Sequence, residues 1–193
     1  MALVTKDQAS LAANRVLSGT FQGAAKVLSE STSTLRSSFD IFLSHSVMDA
    51  KYVLGAKRIL EEKGFSVYVD WLNDPMLDRS YVNKTTAAYL RRRMRQCNLM
   101  FYLHSTNSSL SKWCPWELGY FDGYSRSEDR TFIFPLVSTG EQFKGQEYLE
   151  LYPIVDVDNI GHASRQKRDV WGYFPESAQQ WRRMSSILET AGH

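Results

Sequence analysis

Residue types that can bind and act on a small molecule are concentrated in one short segment, Ser111-Lys112-Trp113-Cys114-Pro115-Trp116-Glu117-Leu118. Its tryptophans offer flat apolar walls, and Glu117 offers a carboxylate that can stabilise positive charge. A structural role also fits: with Pro115 at the first helical position, Glu117 is favoured by the helix dipole and by capping. If the helix instead begins at Ser111, Trp113 and Glu117 share one face. A position at a helix start keeps the carboxylate ionised because the dipole favours the anion, so the structural role is compatible with a role as a catalytic carboxylate.

Other reactive side chains form less convincing arrangements. His45 and His104 follow two apolar runs and can face one another, but two ligands without a third do not make a metal site, and no metal is expected. Cys114 lacks the flanking residues of a nucleophilic cysteine, and Ser44 with His45 lacks a third triad member. The run Arg91–Arg95 is expected on a solvated helix face, with contact to a phosphate group as the alternative.

The composition excludes several classes of function. The 193 residues are 43% hydrophobic, enough for a packed core without disulfides, and the two cysteines fit a reducing compartment. A net charge of +2 is too small to indicate nucleic acid as the main partner. The sequence begins without a secretory signal and contains no apolar run of the ~20 residues that a membrane span needs. We therefore expect a cytoplasmic protein with neither a membrane nor a nucleic-acid partner.

Alternating strands and helices must position these side chains. Short apolar runs bounded by polar residues or glycine predict five strands, at Phe39–Ser44, Phe65–Trp71, Leu99–His104, Thr131–Val137 and Tyr152–Asp158. Helical periodicity predicts four helices, at residues 52–63, 85–97, 112–122 and 176–190. In the last of these, Trp181, Met184 and Leu188 are expected to face inward.

This alternation predicts an α/β fold of the flavodoxin-like kind, a five-stranded parallel sheet with helices on both faces. With strand order 2-1-3-4-5, a ligand site is expected where the first and third strands end, at Ser44-His45 and His104-Ser105. Residues 1–36 differ in character and predict an N-terminal helical extension to a domain at 37–193. Its apolar stripe, which includes Leu11, Val16, Leu17 and Phe21, is expected to cover the sheet or to bind a partner.

Four segments of the sequence are distinctive: FDIFLSHS followed by Asp49-Ala50, GFSVYVDW, Leu77-Asp78-Arg79-Ser80 and SKWCPWELGYFDG. In this order and spacing they resemble bacterial Toll/interleukin-1 receptor (TIR) domains. The resemblance covers roughly residues 38–160, and its most specific element is Ser-x-Trp-Cys-x-x-Glu-Leu.

The resemblance implies an enzyme that cleaves the nicotinamide–ribose bond of NAD⁺, with Glu117 as the catalytic residue. It places Trp113 near the nicotinamide ribose. It also implies that Phe42, Ser44, His45 and Cys114 belong to the substrate-binding residues. The loop Asp74–Asn83 would gate the site and contact neighbouring domains, and its Asp78 and Arg79 would also belong to the substrate-binding residues. Because the chain lacks GxGxxG and Walker A motifs, NAD⁺ is expected as a substrate, with no separate cofactor.

Two functions of different class follow from the resemblance. One is an NAD⁺-consuming enzyme that makes ADP-ribose or a cyclic or conjugated ADP-ribose signal, similar to the stand-alone TIR proteins of anti-phage systems such as Thoeris. Self-association and a phage-derived activator or downstream effector are the partners it implies. The other is a non-catalytic adaptor that acts through homotypic TIR contacts, in which Glu117 is only a helix-start residue.

Overall fold

The computed structural model describes residues 1–18, 37–74, 77, 81–125, 129–158 and 170–191. Eight strands of this part of the chain form one sheet: β1 Val4–Thr5, β2 Phe39–Ser44, β3 Val67–Tyr68, β4 Cys97–His104, β5 Thr131–Val137, β6 Ile154–Val157, β7 Val170–Tyr173 and β8 Trp181–Arg183. The α-helices are α1 Lys6–Ser18, α2 Ala50–Glu62, α3 Asp70–Asn73, α4 Lys84–Met94, α5 Thr106–Leu110, α6 Cys114–Ser125 and α7 Met184–Ala191. Short 3₁₀ helices span Val47–Asp49 and Glu147–Leu151.

The predicted strand order is confirmed. The parallel strands run β3-β2-β4-β5-β6, which is the order 2-1-3-4-5 of the five predicted strands. The sheet is larger than predicted, because β7 and β8 continue it in the antiparallel direction and β1 pairs with the end of β5. The carboxyl ends of β2 and β4 therefore lie side by side, where a parallel sheet of this order places its ligand.

Helices cover both faces of the sheet. On one face, α1, α2 and α7 pack on Leu99, Phe101 and Leu103 of β4. On the other face, α4 and α6 pack on Met100 and Tyr102 of the same strand. This alternation follows from the two-residue repeat of a β-strand and explains why β4 is apolar almost throughout. It also determines which strand-end side chains meet α6.

Capping interactions explain where α2 ends and where α4 begins. The backbone N–H of Lys63 bonds to the carbonyl oxygens of the last turn of α2, and Gly64 follows with φ of 88°. Glycine is favoured there because it lacks the Cβ that makes this region costly for other residues. At the start of α4, the side-chain oxygen of Asn83 accepts a hydrogen bond from the Thr86 backbone N–H at 2.8 Å.

The predictions for two segments were wrong in their details. The second strand is short, Val67–Tyr68, because α3 begins at Asp70. The helix predicted from residue 176 begins at Met184, since Trp181–Arg183 pairs with β7 as an edge strand. Trp181 is accordingly 39% exposed and packs on Tyr173 across the strands, with ring centroids 4.8 Å apart. Sheet pairing overrode the helical periodicity at this edge.

The described part of the predicted N-terminal extension packs on the sheet and on α2. Its buried residues in α1 are alanines, Ala9, Ala12 and Ala13, whereas Leu11 of the predicted apolar stripe is 64% exposed. A Cβ on Gly55 of α2 would lie 1.8 Å from the Ala9 carbonyl oxygen, so the two helix backbones are in direct contact. Such close packing admits only small side chains, which explains why the larger Leu11 faces outward.

The rest of this extension lies outside the described residues, including the predicted stripe position Phe21. The division of the chain at residues 1–36 and 37–193 stays a prediction. None of the helices that the structure describes is long and apolar enough to cross a membrane.

Candidate active site

Ser44 and Glu117 form the centre of the candidate site. Ser44 is the last residue of β2 and Glu117 lies in the first turn of α6. The Ser44 hydroxyl donates a hydrogen bond of 2.7 Å to Glu117 Oε2. Their side chains are deeply buried, with residue exposures of 1% and 0%. A donor at this position stabilises a buried carboxylate, because burial without hydrogen bonds strongly disfavours the charge.

The start of α6 places Glu117 beside the sheet. The backbone N–H of Glu117 donates to the Trp113 carbonyl oxygen at 2.8 Å, the first turn of the helix. The Ser111 hydroxyl accepts from the backbone N–H groups of Trp113 and Cys114, each at 3.3 Å. α6 therefore begins at Cys114, between the two predicted starts at Ser111 and Pro115.

Three of the predicted substrate-binding residues lie in the buried cluster beneath this helix start. Phe42 stacks on Tyr68 with ring centroids 5.3 Å apart, and Cys114 is fully buried. Trp113 is 5% exposed and contacts Trp116 edge to face at 5.4 Å. The structure thus brings Phe42, Trp113 and Cys114 into one cluster on the Glu117 side of the sheet.

His45 lies next to Ser44 in sequence, but its described contacts are on the opposite side of the strand. Its Nδ1 lies 2.8 Å from the Leu43 carbonyl oxygen, and Trp71 Nε1 donates to its Nε2 at 2.7 Å. Because a carbonyl oxygen only accepts, the proton is on Nδ1 and Nε2 is the acceptor. Asp70 Oδ1 lies 3.3 Å from the same Nε2. Trp71 packs on the opposite core from Trp113, so this hydrogen bond of His45 lies on the side of the sheet away from Trp113.

Sequence reasoning missed the role of Asp49 in fixing the segment that leads to α6. Asp49 is 4% exposed, and its carboxylate accepts hydrogen bonds from the Ser105 hydroxyl and, at 2.7 Å, from Asn107 Nδ2. Ser105 in turn forms a reciprocal capping box with Ser108 at the start of α5. The available signal was an acidic residue five positions after a buried strand, where a buried carboxylate needs partners.

Comparison with known proteins identifies the family. Residues 41–171 match the TIR domain family. The chain belongs to the TIR domain family. It is 43% identical over 153 residues to the probable 3' cyclic ADP-D-ribose synthase ThsB' of Bacillus cereus (strain MSX-D12), a match that covers 78% of this chain and 76% of that protein.

A second relative is the putative cyclic ADP-D-ribose synthase TIR2 of Cytobacillus dafuensis. It is 30% identical over 83 residues, which cover 42% of this chain and 22% of that protein. The match to ThsB' extends over most of both chains, whereas the match to TIR2 is confined to a part of each.

The loop of the TIR domain that was predicted to gate the site is anchored at its first residue. Asp74 accepts hydrogen bonds from Arg93 Nε at 2.8 Å, from the Tyr68 hydroxyl at 2.6 Å and from the Tyr89 hydroxyl. Burial opposes the charge of Asp74, but these hydrogen bonds outweigh it and hold the pKa of its carboxyl below the usual range. Asp78 and Arg79 lie outside the described residues, so their roles stay predictions.

The arginine run of the TIR domain was predicted to lie on a solvated helix face. In the structure Arg91, Arg93 and Arg95 also contact other side chains of the fold. Besides Arg93, which pairs with Asp74, two of its members lie against aromatic rings of α6. The Arg91 guanidinium lies 5.4 Å from the Trp116 ring centroid. Arg95 Nε donates to the Tyr120 hydroxyl at 2.8 Å. These contacts join α4 to the helix that carries Glu117.

The cysteines of the TIR domain are buried and form no disulfide. Burial raises the pKa of the Cys97 thiol well above its ordinary value, which suits an inert core residue. Among the described residues no cluster of three or more His, Cys, Asp and Glu side chains is arranged to hold a metal ion.

Proposed function

We propose that this TIR domain cleaves the nicotinamide–ribose bond of NAD⁺ and closes the remaining ADP-ribose into a cyclic signal, with Glu117 as the catalytic carboxylate. The printed names of both relatives, each a cyclic ADP-D-ribose synthase, support this reaction. The single observation in the site that carries it is the carboxylate at the family's motif position, held by Ser44 at the carboxyl edge of the sheet. In this account NAD⁺ is a substrate and no separate cofactor takes part.

One carboxylate suffices for this chemistry. Cleavage of a glycosidic bond passes through an oxocarbenium-like state, and most enzymes use a second acid to protonate the leaving group. Nicotinamide leaves NAD⁺ as a neutral molecule and takes the bonding electron pair, so no proton has to be supplied. Glu117 binds the ribose hydroxyls and stabilises the positive charge that develops on the sugar. Trp113 and the other apolar side chains around it exclude water.

Access to Glu117 is the point at which the reaction is controlled in this account. A fully buried carboxylate contacts NAD⁺ only after a neighbouring segment has moved. Self-association of the domain or binding of a phage-derived activator supplies this movement, as in a cytoplasmic defence protein whose product acts on a downstream effector. The Asp74–Asn83 loop, with Asp78 and Arg79, is the proposed contact between neighbouring domains.

The experiment that tests the function is incubation of the purified chain with NAD⁺ over a wide range of protein concentration. Nicotinamide release is followed by chromatography, and the products by mass spectrometry, since the cyclic product lacks the mass of one water relative to ADP-ribose. Release of nicotinamide with formation of the lighter product supports the proposal. If the folded chain bound other copies of itself but released no nicotinamide at any concentration, the non-catalytic adaptor would be the correct function.

A further inference from the structure

His104 occupies a position on the Glu117 side of the sheet that the reaction described so far leaves unused. It is the last residue of β4, and Tyr102, two residues before it, is paired with Ser44 in the parallel register. Because side chains alternate along a strand, His104 is on the same face as Tyr102. His104 lies on the strand next to Ser44 and two residues beyond the residue paired with it. The Cα atoms of Ser44 and His104 are therefore about 8 Å apart. His104 therefore lies at the same edge and on the same side of the sheet as Ser44, the hydrogen-bond partner of Glu117.

The environment of His104 differs from that of His45. Both ring nitrogens of His45 are engaged, by the Leu43 carbonyl oxygen and the Trp71 indole. His104 is half-buried and is held by an edge-to-face contact with Phe143, with ring centroids 5.0 Å apart and planes at 82°. In the part of the chain that the structure describes, no hydrogen bond to its ring nitrogens is recorded. One nitrogen of a neutral ring is thus an available acceptor.

The protonation state of His104 suits a base at neutral pH. Burial lowers the pKa of the His104 imidazole below its ordinary value. The elements around this edge carry Asp49, Glu117, Glu141 and Lys144 as charged groups. Burial is nevertheless the cause of the shift, so the ring is neutral at pH 7 and becomes protonated only in more acidic solution.

We propose that His104 is the general base of ring closure, taking the proton from the adenosine ribose hydroxyl as that oxygen attacks the other ribose. This proposal rests on the proposed function. The bond between the sugar C1 and nicotinamide breaks, and nicotinamide leaves with the electron pair. A new C–O bond forms at the same carbon, and the hydroxyl proton moves to His104. Glu117 contacts the sugar that carries the positive charge, so the two residues act on opposite partners of the new bond.

The residue would therefore determine which product is made rather than whether nicotinamide is released. A correctly placed base contributes on the order of 10²–10⁴ to a step that removes a proton. Without the base, the hydroxyl of the adenosine ribose attacks slowly, and water captures the cationic sugar instead. The product is then ADP-ribose, formed at the expense of the cyclic compound.

The test uses the full chain with His104→Gln, and Phe143→Leu as a matched variant that loosens the ring but keeps the base. Nicotinamide release and the cyclic fraction of product are measured from acidic to neutral pH. We expect His104→Gln to release nicotinamide within a few-fold of the parent and to lower the ratio of cyclic to linear product at least about tenfold. The parent's cyclic fraction should fall as the pH drops below about 6.5, whereas that of the variant should not change. Phe143→Leu should keep the pH dependence of the parent.

A His104→Gln variant with the product ratio and pH dependence of the parent would overturn the role of His104, while the proposed function would stand. A parent that released nicotinamide but formed only ADP-ribose would contradict the ring closure in the proposed function, and the role of His104 with it. A parent that released no nicotinamide at all would contradict the proposed function as a whole, so the three failures are distinguishable.

A second measurement does not depend on turnover or on a variant that folds. The parent is labelled at its histidine ring nitrogens and titrated with carba-NAD⁺, an analogue whose glycosidic bond is not cleaved. We expect the His104 ring signals to shift on binding, with those of His45 less affected. Saturation with the analogue that left the His104 signals unchanged would contradict contact between this ring and the substrate.

Discussion

The hydroxyl of Ser44 donates a hydrogen bond of 2.7 Å to the carboxylate of Glu117, although the two residues are far apart in the chain. This bond joins the end of β2 to the start of α6 across the crevice at the carboxyl edge of the sheet. Both partners are buried, so the bond contributes to the stability of the fold and also fixes the orientation of the carboxylate. The two effects can be measured separately.

Replacing Ser44 with Ala should destabilise the protein and slow the reaction. The change leaves a buried carboxylate without one of its donors, which costs about 1–3 kcal/mol in the free energy of unfolding. Urea unfolding of the parent and of Ser44→Ala checks this value. Ser186→Ala, at an exposed position of α7, is the matched control and should change the free energy by no more than about 0.5 kcal/mol. Equal stability of Ser44→Ala and the control would show that the bond contributes nothing.

The pair Arg93–Asp74 should give a pH-dependent contribution to stability. Arg93 donates from Nε and Nη2 to the Asp74 carboxylate, whose pKa in the folded protein is below its usual range. A lowered pKa means that the stabilisation is complete above the ordinary pKa of an aspartate, about 4, and is lost as the pH falls below it. Arg93→Gln should therefore cost about 2–3 kcal/mol near neutral pH.

The difference in the free energy of unfolding between Arg93→Gln and the parent should shrink in acid, as Asp74 becomes protonated in both. Arg92→Gln, which changes an exposed neighbour on the same helix, is the control and should show a smaller and flatter difference. Denaturant unfolding across the acidic range measures both. If the difference in the free energy of unfolding between Arg93→Gln and the parent stayed constant down to the lowest pH, Asp74 would not be stabilised by this arginine.

Gly55→Ala should disturb the packing of α1 on α2. The added Cβ would lie 1.8 Å from the Ala9 carbonyl oxygen, so the helices must separate, at a cost of about 1–3 kcal/mol. In Gly123→Ala, on α6, the added Cβ meets nothing within 4 Å, and the change should stabilise the protein by up to ~1 kcal/mol. Thermal unfolding of the two variants should shift in opposite directions. Equal shifts would rule out the close contact of α1 with α2.

Specific activity should rise with protein concentration, because the fully buried Glu117 has to become accessible before NAD⁺ binds. Contacts between neighbouring domains supply the movement in our account, so dilution should inactivate the protein reversibly. Initial rates divided by protein concentration test this over a wide dilution series. Arg79→Ala should lower the rate at limiting protein more than at high protein. A flat profile, with Arg79→Ala equally impaired throughout, would favour direct contact between Arg79 and the substrate.

The central strands could be predicted from sequence because burial on both faces leaves nearly continuous apolar runs. Phe39–Ser44 and Thr131–Val137 have the bounds that were predicted, and the strand order follows from the fold class. The edge of the sheet was harder to predict. Trp181–Arg183 forms a strand because it pairs with β7, although its sequence has helical periodicity. In α1, contact between helix backbones favoured buried alanines over the leucine stripe.

The site was predictable only in part, because some of its contacts join residues that are distant in the sequence. Motif position indicated Glu117 and Ser44, and the structure places them together. The resemblance grouped His45 with Ser44, whereas the hydrogen bond from Trp71 to His45 lies on the other side of the sheet, as the two-residue repeat of a strand would suggest. Asp49 bonds to Ser105, 56 positions away, and Asp74 bonds to Arg93, 19 positions away, and no local pattern reveals such pairs.

The most direct test of the central claim compares nicotinamide release from NAD⁺ by the parent and by Glu117→Gln at equal, high protein concentration. Gln keeps the size of the side chain and can still bond to Ser44, so the melting temperature should change little. We predict that the variant releases nicotinamide at least about 10²-fold more slowly, because it lacks the charge that stabilises the cationic sugar. A folded Glu117→Gln protein that turned over NAD⁺ at the rate of the parent would contradict the account.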